Sequence, residues 1–324
     1  SQKRQEATVT DTQLPLFSTA QDEPSASTQH LTPLTSRSSL RAAIKGFREH
    51  MRQVDFTENT IKSFLGDLSL LQRYLTPEVE IGTIATRDLH AFMDYLRHGR
   101  GVPCTPKSYS RRLTTLKVFF EWLTTARILA HDPAAPLVHP PAVSPLPAIL
   151  YPEQIERALD AGRALLNDAK APDPRPLFLL SLILQTGMKK SECLALQVGH
   201  FDLSDPEAPA VFIRYREPRH RHKERRLALD RSTPALLRRY LEAYRPRDTL
   251  FPCTGRNLEY VLHKIAQLAG LEGGISFEML RWTCAVRDFR AGMEPEHIRR
   301  KLGLSHIAWE ETLAKIQALA ANPL

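Results

Sequence analysis

The sequence has 324 residues, with 44 Lys and Arg against 36 Asp and Glu, a net charge of +8. That length allows two cores, since a single one rarely grows past about 250 residues, and the basic excess suits a polyanion partner without requiring one. Cys104, Cys193, Cys253 and Cys284 lack any Cys-x-x-Cys spacing, and the longest apolar run, Leu177 to Leu184, is far short of the roughly 18 residues that span a bilayer. The expectation is therefore no metal, no cofactor, no membrane partner and, with no leader-like pattern at the start, a cytoplasmic location.

Residues 1–36 are rich in Ser, Thr, Gln, Asp and Pro and have no helical or strand period. They are expected to form a disordered tail, with a short apolar patch at Leu14-Pro15-Leu16-Phe17. Over 37–131 four amphipathic stripes follow: Leu40, Ile44, Phe47, Met51; Ile61, Phe64, Leu65, Leu68, Leu75; Leu89, Phe92, Tyr95, Leu96; and Tyr109, Leu113, Leu116, Phe120, Leu123. Spacings of three and four place each set on one helix face, and four such helices predict a bundle. Prolines 133, 136, 140, 141, 145 and 147 then mark 132–149 as a stiff extended linker.

A second domain is expected over 150–324. It opens with a helix, followed by the apolar 177–184 helix, buried on all sides and ended by Gly187. Ala210–Tyr215 and Arg225–Leu229 read as two strands joined by a basic turn, and Thr233-Pro234 as a helix start with a capping hydroxyl. Helices near 255–269, 276–291, 294–303 and 306–319 complete the domain. The fold class is thus mainly α with a small antiparallel sheet.

The stretch Arg214 to Arg226 holds seven Lys or Arg, two His and two acids in thirteen residues. On a strand–turn–strand ribbon, Arg214, Arg216, Arg219, Arg221, Lys223 and Arg225 can reach a groove and neutralise phosphates. A solvated hairpin tip is the plain alternative. In the first domain, Lys62, Lys107, Arg111, Arg112 and Lys117 are further candidates for duplex contact, with ordinary exposed helix faces as their alternative.

Three motifs in order carry a family resemblance. Thr186-Gly187-Met188-Lys189-Lys190-Ser191-Glu192-Cys193-Leu194-Ala195-Leu196, Met279-Leu280-Arg281-Trp282-Thr283 and Lys301-Leu302-Gly303-Leu304-Ser305 resemble the three signatures of the tyrosine recombinase (phage integrase) family, with the hairpin ending Lys223-Glu224-Arg225 between the first two. The Thr60-Ile61-Lys62-Ser63-Phe64 helix and the Thr105–Leu123 helix, closed by His131-Asp132-Pro133, resemble its SAM-like core-binding domain. The resemblance spans roughly 38–313. It implies a clamp around double-stranded DNA in which a tyrosine attacks a backbone phosphate, two arginines hold that phosphate, and a hairpin lysine and two histidines assist.

Carried over position by position, the resemblance puts the first arginine on Lys189, the hairpin lysine on His220 and the first histidine on Glu278. The second arginine is Arg281, the second histidine falls on Leu304 and the tyrosine on Leu313; no tyrosine follows Tyr260. Lysine keeps charge but loses the planar fork, glutamate repels a phosphate, and leucine offers neither donor nor nucleophile. Ser305 and Thr312 are hydroxyls nearby, expected to be cap or surface residues. The reading is an inactive DNA binder acting as accessory, regulatory or architectural factor in recombination or integration. An active divergent recombinase and a helical protein-binding scaffold are the alternatives. Partners expected besides DNA are an active recombinase, or a second copy through the stripe Trp309, Leu313, Ile316 and Leu319, with a cap on its own core as the equal alternative for that stripe.

Overall fold

Three α-helices of the N-terminal unit start where a hydroxyl precedes a periodic run. In the computed structural model, which describes residues 33–102, 104–139 and 145–322, Ser39 accepts from the Ala42 N–H at the head of α1 (Leu40–Gln53). Thr57 caps α2 (Glu58–Leu75), and Thr105 with Pro106 opens α4 (Pro106–Thr125). Each such cap contributes about 1 kcal/mol. Between them, α3 (Thr86–Asp94) runs on into a single π turn, Tyr95–Gly99. The four stripes converge on one core of Leu40, Phe47, Met51, Leu68, Phe92, Leu96, Leu116 and Phe120. Residues 1–32, with the apolar patch at 14–17, and prolines 140 and 141 lie outside the described residues.

Among the described residues, one charged side chain is buried in this bundle. Asp67 of α2 accepts from Thr115 Oγ1 at 2.9 Å and Arg111 Nη1 at 2.6 Å, both on α4, with Arg112 Nε 3.6 Å away. Replacing Asp67 with Ala leaves the nearly buried Arg112 without a counter-ion. The expected loss is about 2 kcal/mol of stability, read as a lower urea midpoint at unchanged m-value.

The chain divides into two compact units, Ser1–Ser144 and Pro145–Leu324. The proline-rich stretch is anchored at both described ends. Ala134 and Leu137 are buried in the first core and Thr86 Oγ1 donates to the Pro133 carbonyl; Ile149 and Leu150 belong to the second unit, where the Leu150 N–H donates to Thr283 Oγ1.

In the second unit, α6 (Arg175–Thr186) is the central helix, packed by α5 (Pro152–Leu166), α8 (Thr233–Tyr244), α9 (Gly255–Leu268) and α10 (Phe277–Arg290). That is why its apolar run shows no polar face: Phe178 through Leu180 and Leu182 through Leu184 are all buried. Gly187 ends it at φ +59, and a Cβ there would meet Leu302 Cδ2 at 2.9 Å. Both the left-handed backbone and the close approach require glycine. The short α7 (Lys190–Leu194) follows.

The sheet is antiparallel in the order β1 (Phe201–Asp202), β2 (Ala210–Ile213), β3 (Arg225–Ala228), with Val211 opposite Leu227 and Ile213 opposite Arg225. β1 was not expected, because two residues cannot display an alternation. The basic connection is not a simple turn but contains a 3-10 helix, Pro218–Lys223, started by a proline whose φ suits it. A second departure is at Thr233. It is the first residue of α8 rather than its cap, it is buried, and its hydroxyl donates to Gln185 Oε1 at 3.0 Å. A tertiary partner has displaced the local cap.

α10, α11 (Pro295–Leu302) and α12 (His306–Ala321) enclose a smaller cluster: Ala285, Val286, Ile298, Leu302, Trp309, Ile316 and Leu319. The α12 stripe, expected either as a surface for a second copy or as a cap on its own core, packs here against its own unit. Covering it there removes the apolar area of α10 and α11 from water without a partner.

Candidate functional site

The first signature begins where Gly187 turns the chain out of α6, and its Glu192 is the best-held charge in the unit. The carboxylate is buried and receives a two-pronged bond from Arg225, Nη1 at 3.0 Å and Nη2 at 2.9 Å. It also accepts from the Tyr215 hydroxyl and, at 2.8 Å, from the Lys189 N–H. Burial pushes its pKa up, but the Arg225 bonds and charge, then Tyr215, win and hold it at about 2. Arg225 Nε donates to the Lys301 carbonyl at 2.7 Å, so this one pair ties the first signature, the hairpin and the third signature together. Sequence reasoning placed Arg225 on DNA and gave Glu192 no role; a carboxylate in a short helix carries no sign of its partner.

Beside this network lies an open cleft of about 510 Å³. Of the six positions carried over from the family, it brings together Lys189, Glu278, Arg281 and Leu304, with Trp282 and Thr312 also on its walls. Arg281 is turned inward: Nη1 donates to the Gly187 carbonyl and Nη2 to the Leu302 carbonyl. It staples the end of α6 to the end of α11, and burial lowers its pKa. Lys189 has no side-chain hydrogen bond among the described residues. Its pKa is lowered by burial, an effect that Glu192 opposes and that Arg281, Lys223 and Arg225 reinforce.

Glu278 is exposed in the first turn of α10, where the helix dipole favours an acid. Leu304 and Leu313 are packed against the α10–α12 cluster. His220 is elsewhere, lining a different cavity with its ring 5.7 Å from that of Tyr215. Ser305 is the α12 cap, accepting from Ala308 N–H, and the Thr312 hydroxyl donates to the Ala308 carbonyl at 2.7 Å. The Tyr215 hydroxyl, committed to Glu192, is pushed up to about 12 by burial and by that bond.

The candidate DNA-contacting residues sort into two groups. Lys62, Lys107, Arg214, Arg216 and Arg221 are exposed, and Lys223 is half-buried beside the cleft. The others have partners within the chain: Arg111 and Arg112 with Asp67, Lys117 with the Ala135 carbonyl at 3.2 Å, Arg219 in an exposed pair with Glu217 at 2.8 Å, and Arg225 and Arg281 as above. Among the described residues no group of three His, Cys, Asp or Glu could hold a metal ion, and no helix is long and apolar enough to cross a membrane.

Residues 148–312 match the phage integrase family and residues 35–127 match the phage integrase N-terminal SAM-like domain. The chain belongs to the phage integrase family. It is 26% identical over 260 residues to a protein named tyrosine recombinase XerC of Staphylococcus saprophyticus, covering 76% of this chain and 83% of the relative. It is likewise 26% identical over 303 residues to a tyrosine recombinase XerC of Roseiflexus sp., covering 87% and 91%. In fold it is similar to the Tn1549 transposon integrase in complex with a circular intermediate DNA, at TM-score 0.68 and 15% identity over 86% of this chain and 94% of that one. A lambda integrase dimer bound to a COC′ core site gives TM-score 0.66 at 13% identity, covering 86% and 78%.

Proposed function

We propose that this chain is a double-stranded-DNA-binding member of the phage integrase family that does not itself cleave DNA. On this reading it serves as an accessory, regulatory or architectural factor in recombination or integration, beside an active recombinase. One observation carries the reading. The cleft that gathers the family positions presents Glu278 and Leu304 where assisting histidines are expected, has Arg281 donating to two backbone carbonyls, and leaves Leu313 in an apolar cluster. The direct test is whether the protein joins covalently to a nicked duplex.

Duplex binding is supported by the exposed hairpin cations and by the DNA-bound structures that share the fold. Replacing Arg219, Arg221 and Lys223 with Ala is expected to weaken duplex binding and lower the salt slope by about one unit per lost phosphate contact. A triple variant that titrates like the parent would return the hairpin to a solvated tip. An active divergent recombinase is the second reading, favoured by Thr312, a hydroxyl-bearing residue that lines the cleft with Arg281 and Lys189. A protein-binding scaffold without DNA affinity would leave the clustered hairpin charge without a role.

A further inference from the structure

A second cavity, of about 570 Å³, opens against α7 and shares no lining residue with the cleft. Arg214 and Arg216 enter it from the chain leaving β2, His200 from the short turn before β1, and His220 from the hairpin 3-10 helix. Neither arginine has a side-chain hydrogen bond or ion pair among the described residues; Arg214 only lies over the Phe212 ring, 5.5 Å from its centroid. The two acids on the wall are already neutralised. Glu192 is held by Arg225 and Tyr215, and Glu217 accepts from Arg219 at 2.8 Å. His200 Nδ1 accepts from the Gln197 N–H at 3.4 Å, which leaves its Nε2–H to donate.

Two unpaired guanidinium forks and an imidazole N–H around one concavity, with the local acids occupied, match the non-bridging oxygens of a phosphate. The contrast with the cleft is direct: there Arg281 is committed and Glu278 adds an unpaired negative charge. We infer that this cavity is a phosphate site in its own right, and that it takes an uncleaved backbone phosphate of the duplex and so sets the register of the second unit on DNA. The inference rests on the DNA-binding reading above and adds the residues that hold DNA once the cleft no longer does.

The test is fluorescence anisotropy of a labelled duplex against NaCl concentration, using the full chain. Three variants are compared with the parent: R214Q/R216Q, R214K/R216K and the hairpin triple R219A/R221A/K223A, each first shown to melt like the parent. The glutamine pair is expected to lose about 100-fold in affinity at low salt and about 2 units of salt slope. The lysine pair should keep the slope and lose about tenfold, since charge remains and the fork does not. Calorimetry with pyrophosphate separates the sources of the phosphate. Pyrophosphate binding that R214Q/R216Q abolishes, with duplex binding untouched, would assign the site to a soluble phosphate compound and overturn the duplex part. A glutamine pair that binds both probes as the parent does overturns the site altogether. In that case loss of duplex binding in the hairpin triple would still leave the DNA-binding reading standing.

Discussion

Incubated with a suicide duplex that traps cleavage, the purified protein is expected to give no covalent band on a denaturing gel and no nick. Phosphoryl transfer needs a nucleophilic oxygen in line with phosphorus and fixed donors on the non-bridging oxygens. Here Leu313 has no oxygen, Leu304 no donor, and Glu278 opposes the charge that develops. Arg281 already gives one N–H from each terminal nitrogen to the Gly187 and Leu302 carbonyls, which leaves fewer of its five N–H groups for a phosphate. Losing one acid or base costs roughly 10²–10⁴-fold, and losing the nucleophile removes the covalent route. Leu313→Tyr alone should therefore not restore cleavage. Combined with Lys189→Arg, Glu278→His and Leu304→His, it is expected to give weak nicking. A covalent band from the unaltered protein would overturn the inactive reading, and mapping its attachment to Thr312 would establish the second one.

Glu192→Gln is expected to cost about 3 kcal/mol of stability at neutral pH, because it leaves the buried Arg225 without its counter-ion. The pH dependence gives an independent check. The Glu192 pKa is held at about 2 against an ordinary 4.5, so its contribution is full above the unfolded value and is lost as pH falls from about 4.5 toward 2. At about 1.4 kcal/mol per pKa unit that contribution is roughly 3 kcal/mol. The stability difference between parent and variant, measured by urea unfolding, should therefore shrink steadily below pH 4.5. A difference independent of pH would assign the loss to packing instead. Glu192→Leu with Arg225→Met should recover most of the stability while separating the hairpin from α11, since replacing both members of a buried pair avoids the stranded charge.

What was legible in the sequence was whatever repeats locally. The stripes of α1, α2 and α4 show as apolar spacing, the buried α6 as a run without polar interruption, and the α6 terminus as Gly187, because each depends on residues within a few turns of one another. The family was legible from three short motifs in order, and so was the fact that no tyrosine follows Tyr260. What the tertiary structure alone decided is where each charge is spent. Glu192 meets Arg225 across 33 positions, Arg281 meets Gly187 across 94, and Asp67 meets Arg111 across 44. A basic residue on a helix or strand looks the same in sequence whether it faces solvent or a buried carboxylate, so the ion pairs of Arg111 and Arg112 with Asp67 and of Arg225 with Glu192 could not be read there. The Thr233 hydroxyl was diverted in the same way, and His220 was carried to a different cavity from Lys189. Local periodicity determines which elements form, because helix and strand bonds are short-range; the pairing of buried polar groups is a property of the assembled core, where each must find a partner wherever the fold brings one.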